Sequence, residues 1–180
     1  MDKFTFAGLL NYVPVYPKIV LHLSGITKKY KGNLLITKET RNNLENDEIS
    51  KIFLKFLTSY TTKFNWAYND RFENEETGQL GFLYLLYLIK KYGDTYREVK
   101  FYNKLYYTAF PTLKISKEKM QGILLNDNEW LVALRFFERF AMWFGFIEIQ
   151  YRDKKSPLSG IVRIKKTELL DQLLAYNTNR

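Results

Sequence analysis

One arrangement of hydrophobic and polar positions occurs twice along this chain. A short apolar stretch ends at a glycine, a lysine-bearing polar segment lies between two short apolar runs, and a Thr-Lys or Lys-Thr step follows. The first copy extends from Ile19 to Leu44, and the second from Arg139 to Leu174. Apolar residues that end at glycine predict a helix, and paired short runs around a polar turn predict a hairpin. Each copy therefore predicts a helix, a hairpin and a second helix, which is the helix-and-wing half of a winged-helix unit.

Apolar positions at spacings of three and four predict further helices between and within the two copies. The predicted helices lie at 49–68, 79–92, 96–110 and 129–144. The second of these is apolar all round at its centre and is expected to be a core helix. The last has a single narrow charged stripe, Arg135, Glu138 and Arg139, and is expected to be nearly enclosed. We predict a mainly α-helical fold with winged-helix-like modules, about seven helices and two small antiparallel β-hairpins.

The apolar period disappears between residues 69 and 78, where the sequence DRFENEETG is acidic. This composition is typical of a connecting loop. We therefore predict an N-terminal helix-wing-helix module over 1–68, an acidic connecting loop over 69–78 and a C-terminal winged-helix-like module over 79–180. Because 46% of the 180 residues are hydrophobic, the two modules are expected to form one compact unit.

The content of aromatic residues and cysteine narrows the possible chemistry. Aromatic residues make up 17% of the chain and are expected to supply much of the core. Cysteine is absent, which excludes a disulfide framework, a thiolate zinc site and a cysteine nucleophile. The first residues lack the pattern of a signal peptide, and the longest apolar stretch, 81–89, is too short to span a membrane. We expect a cytoplasmic protein with no membrane partner and no cofactor.

The formal net charge of +9 favours a nucleic-acid partner, because lysine and arginine neutralise phosphates. A low-GC genome is the alternative cause, since Lys, Asn, Ile, Phe and Tyr all have AT-rich codons. The tips of both predicted wings are basic, and their candidate phosphate-binding residues are Lys28, Lys29, Lys31, Arg152, Lys154 and Lys155. The helix before each wing is apolar and lacks the polar side chains that read base edges. We predict a non-catalytic protein that binds nucleic acid without strong sequence readout; the alternatives are solvated hairpin tips and a protein-protein or homodimer interaction module.

Catalytic constellations are not recognisable in the sequence. His22 is the single histidine and lies in a short apolar helix, which indicates a structural role. The glycines form neither of the common phosphate-binding motifs, and no serine lies in a nucleophile-elbow context. The acidic cluster Asp70, Glu73, Glu75 and Glu76 offers hard oxygen ligands for Mg²⁺, but a solvated linker is the preferred interpretation. We predict no metal site and no enzyme activity.

Three motifs resemble those of a family of bacterial cytoplasmic proteins with winged-helix-like elements and no established activity. KFNWAYNDRFE, at 63–73, is similar to the family's "fNWAY.D" run, and LRFFERFAMWFGFIEIQ, at 134–150, is similar to its "R.FERFA.wFG" helix. GNLLITKETRNNL is similar to the wing and linker of the family, except that Glu39 and Thr40 stand at its Lys-Gly positions. The match is weakest before Ile19.

This resemblance implies no catalytic residue, because the family has none assigned. If the family has a site, its best candidates in this chain are Asn65, Trp66, Tyr68 and Asp70, a polar-aromatic cluster that is suited to a ligand or partner. The structural interpretation is preferred: Trp66 and Tyr68 pack against the second half of the chain and Asn65 caps a helix end.

Overall fold

A computed structural model describes residues 15–70, 76–114, 128–152 and 160–175. The chain divides into two compact units, Met1–Phe72 and Glu73–Arg180. The division falls inside the acidic segment 69–78. The described residues are mainly α-helical with two small antiparallel sheets, as the sequence predicts. None of the described helices is long and apolar enough to cross a membrane.

The first unit contains three α-helices and one hairpin among its described residues. Its elements are α1 (Val15–Leu23), β1 (Thr27–Tyr30), β2 (Asn33–Ile36), α2 (Lys38–Glu45), α3 (Ile49–Thr62) and a 3-10 turn at Trp66–Asn69. The strands pair antiparallel from Thr27 opposite Ile36 to Tyr30 opposite Asn33. Fully buried side chains, including Val20, Ile26 and Trp66, form the core of this unit.

The second unit adds a three-stranded sheet to its helices. Its described elements are α4 (Phe82–Tyr92), β3 (Arg97–Glu98), α5 (Val99–Ala109), a 3-10 turn at Pro111–Leu113, α6 (Asn128–Val132), a π-helical segment at Ala133–Met142, β4 (Ile147–Tyr151), β5 (Ile161–Lys166) and α7 (Glu168–Leu173). The strand order is β3-β5-β4, and both pairings are antiparallel. The sequence predicts a helix at the position of β3, and that prediction is wrong for Arg97 and Glu98. Because β3 pairs with β5, the second hairpin is part of a three-stranded sheet instead of a separate two-stranded one.

In the first copy of the repeated arrangement, hydrogen bonds hold the start of α2 against the end of α1. Gly25 ends α1 with a φ of +68°, a backbone conformation that glycine adopts readily. Thr37 caps α2, and its hydroxyl donates a hydrogen bond to the Gly25 carbonyl at 3.1 Å. The Thr37 N–H donates to the carbonyl of the buried Ile26 at 3.0 Å. These two bonds close the base of the hairpin.

The second copy has the same bonds at the matching positions. Gly145 ends the π-helical segment with a φ of +74°, and the Thr167 hydroxyl donates to its carbonyl at 2.6 Å. The Thr167 N–H donates to the carbonyl of the buried Phe146 at 3.0 Å. The helix, glycine, hairpin and threonine pattern in the sequence therefore corresponds to one local structure that is built twice.

The long helix predicted over 129–144 is an α-helix that continues as a π-helix. Its aromatic side chains are buried, as expected for an enclosed helix; Phe136, Phe137 and Phe140 are fully buried. Two residues of its charged stripe are enclosed as well, because Arg135 is only 1% exposed and Glu138 only 7%, whereas Arg139 is half-buried. The core of the second unit thus contains charged groups.

Helix α4 is less buried than its apolar sequence predicts. Leu85 and Ile89 are fully buried, but Leu83 is 62% exposed and Tyr87 is 49% exposed. The helix therefore has one core face and one apolar, aromatic face in solvent. In α1, likewise, Val20 is buried while Ile19 and Leu23 are exposed.

Candidate nucleic-acid interface

The lysines of the first hairpin lie in and beside a tight two-residue turn. Lys31 and Gly32 connect β1 to β2 with φ values of +47° and +83°. Positive φ at both positions is what a type I′ hairpin turn requires. Lys28, Lys29 and Lys31 are all exposed. The hairpin therefore carries three ammonium groups within four consecutive residues, two in β1 and one in the turn.

The pairing register assigns the hairpin residues to two faces. Residues directly opposite each other in an antiparallel pair share a face. Thr27 opposite Ile36 and Lys29 opposite Leu34 form the inner face, where Thr27 is 2% exposed and Lys29, nearer the tip, is exposed. Lys28 opposite Leu35 and Tyr30 opposite Asn33 form the other side, which we call the outer face of the first hairpin: Lys28, Tyr30, Asn33 and Leu35. All four residues of the outer face are exposed, and the Tyr30 ring is 56% exposed.

The first hairpin is positively charged and has no compensating acid. Residues 27–36 include three lysines and no aspartate or glutamate. The ion pairs between described residues involve other lysines. The Nζ atom of Lys31 lies 5.5 Å from the centroid of the Tyr30 ring, so a cation and an exposed aromatic ring are adjacent at the tip.

The second hairpin differs, because acids lie opposite its bases. Glu148 on β4 is directly opposite Lys165 on β5. Glu98 on β3 is directly opposite Arg163 on β5. Opposite charges at such positions attract each other and reduce the net field of the face. The described strands of the second hairpin therefore carry a more balanced charge than the first hairpin.

At the tip of the second hairpin, the structure describes one of the three predicted basic residues. Arg152 is exposed, and its backbone N–H donates to the Gly160 carbonyl at 2.7 Å. Lys154 and Lys155 lie outside the described residues. The candidate interface is accordingly built from the first hairpin.

The polar-aromatic cluster predicted around Trp66 is divided between core and surface. Trp66 is fully buried, and its Nε1–H donates to the carbonyl of Tyr60 at 2.8 Å. The Asn65 side chain caps the 3-10 turn by accepting a backbone N–H at 2.8 Å. Tyr68 is 66% exposed and Asp70 is half-buried. Trp66 and Asn65 therefore have structural contacts, and Tyr68 is the one of the four that is mainly in solvent.

His22 and the acidic cluster are the residues considered for a catalytic or a metal site. His22 is exposed on α1. No group of three or more His, Asp or Glu side chains within the described ranges is placed to hold a metal ion. Glu73 and Glu75 of the predicted acidic loop lie outside those ranges.

A buried polar network in the second unit is not evident from the sequence. The Arg135 guanidinium donates to the Thr77 carbonyl at 3.2 Å, and the Thr77 hydroxyl donates to the Leu113 carbonyl at 3.1 Å. The Tyr106 hydroxyl donates to the Leu80 carbonyl at 2.7 Å, and its burial raises the pKa of Tyr106 to about 12. The bonds from Arg135 and Tyr106 satisfy backbone carbonyls of the segment before α4, so Arg135 has a structural role.

Glu138 is the titratable group of this core whose protonation changes near neutral pH. Burial raises the pKa of Glu138 to about 7, and the positive charge of Arg139 opposes part of that rise. The three-residue spacing of Arg135 and Glu138 is visible in the sequence, but their enclosure is not. It follows from the packing of the π-helical segment against the sheet and α5.

The first hairpin offers three exposed cations and one exposed aromatic ring. The resemblance to the bacterial family stays a prediction. No model of a known family, no curated protein and no solved structure matches this chain.

Proposed function

We propose that this protein binds nucleic acid through the first hairpin, mainly by contacts to phosphates. The observation that carries the proposal is the outer face, on which the exposed Lys28 and Tyr30 lie side by side without an acidic neighbour in the hairpin. Lysine ammonium groups neutralise phosphates and release counterions, and an exposed ring offers a face for base stacking. Binding in the cytoplasm, without catalysis, is part of the same proposal.

The helix before this hairpin supports binding without strong sequence readout. Direct readout requires side chains such as Arg, Asn or Gln that reach base edges in a groove. The exposed residues of α1 include Ile19, His22 and Leu23, which are poorly suited to that task. The contacts that remain are electrostatic, and such contacts position a protein on nucleic acid without specifying a sequence.

We further propose that both units are winged-helix-like. The support is the matched pair of hydrogen bonds at Gly25 and Thr37 and at Gly145 and Thr167. In each case a helix ends, a hairpin follows and a new helix starts beside the first one. Under this proposal the first hairpin is a wing that contacts phosphates.

The second candidate function is a protein-protein or homodimer interaction module. Exposed apolar side chains on α1 and α4 favour it, since large exposed apolar patches often mark interaction sites. Size-exclusion chromatography with light scattering distinguishes the two functions. A monomer that binds oligonucleotides supports the first, and a stable dimer that binds none supports the second.

The test of the proposed function is fluorescence anisotropy with a labelled duplex and a labelled single strand at low salt. The variant Lys28→Gln/Lys29→Gln/Lys31→Gln is expected to lose most of its affinity for both probes. A variant with the same loss of charge elsewhere, Lys51→Gln/Lys104→Gln/Lys114→Gln, controls for the overall net charge. If both variants weaken binding equally, the hairpin is not the site, and if the wild type binds neither probe, the function itself is wrong.

A further inference from the structure

A group of partly exposed aromatic rings lies in the second unit, along α4 and the start of α5. Tyr84 and Tyr87 stack at 6.4 Å between ring centroids with 25° between their planes. Tyr92 contacts Phe101 edge-on at 5.3 Å. We call Tyr84, Tyr87, Tyr92 and Phe101 the aromatic ribbon. Tyr87 is 49% exposed, and the other three rings are half-buried.

Two cations lie against the rings of this ribbon. The Nζ atom of Lys91 is 5.8 Å from the Tyr87 centroid and 5.2 Å from the Tyr92 centroid. The Cζ atom of Arg97 is 5.8 Å from the Tyr92 centroid and 4.7 Å from that of Phe101. A hydrogen bond to Tyr92, then one to Tyr87, raises the pKa of Lys91 above its ordinary value. Rings and positive charges thus alternate along the ribbon.

We propose that the aromatic ribbon binds single-stranded nucleic acid, with unpaired bases stacked on its tyrosines and phosphates held by Lys91 and Arg97. Alternating cations and exposed rings suit a strand in which every nucleotide has both a flat base and a negative charge. This proposal rests on the proposed function and adds the class of nucleic acid: a strand with unpaired bases is preferred over a duplex.

Charge complementarity favours a strand over an apolar protein partner on this surface. Lys91 and Arg97 take part in none of the ion pairs observed between described residues. An apolar partner would cover these cations without neutralising them, and burying an unpaired charge is costly. Phosphate groups would neutralise them. A base stacked on Tyr87 would also cover apolar ring surface that is now in water.

The test compares the wild-type protein with single variants on α4, using labelled oligo-dT and a labelled duplex of the same length. Tyr87→Ala is expected to lower the affinity for oligo-dT by at least about fivefold and to change duplex binding much less. Tyr87→Phe keeps the ring and is expected to bind oligo-dT like the wild type. Leu83→Ala is the matched control, because Leu83 is a more exposed apolar residue on the same helix. It is expected to have no effect.

The outcomes separate this proposal from the function on which it rests. If the wild type binds both probes equally and Tyr87→Ala changes neither affinity, the ribbon proposal is wrong while nucleic-acid binding by the hairpin stands. If the wild type binds no probe, both fail. If Leu83→Ala and Tyr87→Ala each dissociate a dimer in light scattering and leave oligo-dT binding unchanged, the ribbon is a protein interface instead. Circular dichroism spectra that match the wild type exclude misfolding of the variants.

Discussion

Glu138 makes the second unit less stable at high pH, and the substitution Glu138→Gln isolates the effect. The carboxyl group has a pKa of about 7 in the folded protein, against an ordinary value of 4.5, because it is buried. Below the ordinary value it is protonated whether or not the chain is folded. Between the two values the unfolded chain ionises freely while the folded protein keeps the proton. Stability is therefore lost as the pH rises from about 4.5 to about 7 and is constant above that range.

The magnitude follows from the size of the pKa shift. Without screening, the shift corresponds to about 3 kcal/mol of unfolding free energy. Relaxation of the protein and entry of water around an ionised buried carboxylate reduce this value, so we expect about 1 to 2 kcal/mol. Glutamine has nearly the same shape and is neutral at every pH. As the pH rises from about 4.5 to about 7, the unfolding free energy of the wild type should therefore fall by that amount relative to that of the variant.

Urea unfolding at about pH 5 and about pH 8, followed by circular dichroism, measures this gap. The difference between variant and wild type removes the pH dependence that the two proteins share. Glu168→Gln serves as the control, because Glu168 is an exposed carboxylate in the same unit. A gap for Glu138→Gln that does not change with pH, or that changes in the opposite direction, would refute the reasoning.

Two further predictions concern the glycines and the helix cap. Gly81 and Gly145 have nearly equal φ values of +77° and +74°. A Cβ atom added at Gly81 would lie 2.5 Å from the Phe110 ring, whereas a Cβ atom added at Gly145 would lie 3.5 Å from its nearest neighbour. Urea unfolding should therefore show that Gly81→Ala costs about 1 to 3 kcal/mol more than Gly145→Ala, and equal losses would contradict the close approach. Thr37→Ala removes a side-chain oxygen that accepts the Thr40 N–H at 3.3 Å and should destabilise the first unit by about 1 to 2 kcal/mol. Thr37→Ser should retain most of that stability, and a serine variant as unstable as the alanine variant would argue against the cap.

The parts of the fold that sequence reasoning predicted are those with a local physical cause. Gly25 and Gly145 end helices because glycine adopts positive φ, and Thr37 caps a helix because its hydroxyl accepts a backbone N–H. Each of these signals depends on a few adjacent residues. Strand β3 has only two residues and forms because β5 lies beside it, so no local pattern predicts it.

Sequence reasoning was weaker wherever burial decides the outcome. Rings are so frequent in this chain that the sequence does not separate Trp66, which is fully buried, from Tyr30 and Tyr87, which are half exposed. The enclosure of Arg135 runs against the usual preference of arginine for the surface, and its hydrogen bond to the Thr77 carbonyl compensates part of the cost of burial. The basic tip of the first hairpin was predicted, but its outer face depends on a strand register that only the structure provides.

The salt dependence of duplex binding tests most directly whether the first hairpin contacts phosphates. The measurement is the slope of log Kobs against log salt concentration for the wild type and for Lys28→Gln/Lys29→Gln/Lys31→Gln. Each lysine that neutralises a phosphate on duplex DNA contributes about 0.9 to the slope. Lys28 lies on the outer face and Lys31 in the turn, whereas Lys29 lies on the inner face, so the magnitude of the slope should be smaller in the variant by about 2. A wild-type slope near zero, or the same slope in both proteins, would contradict the proposed function.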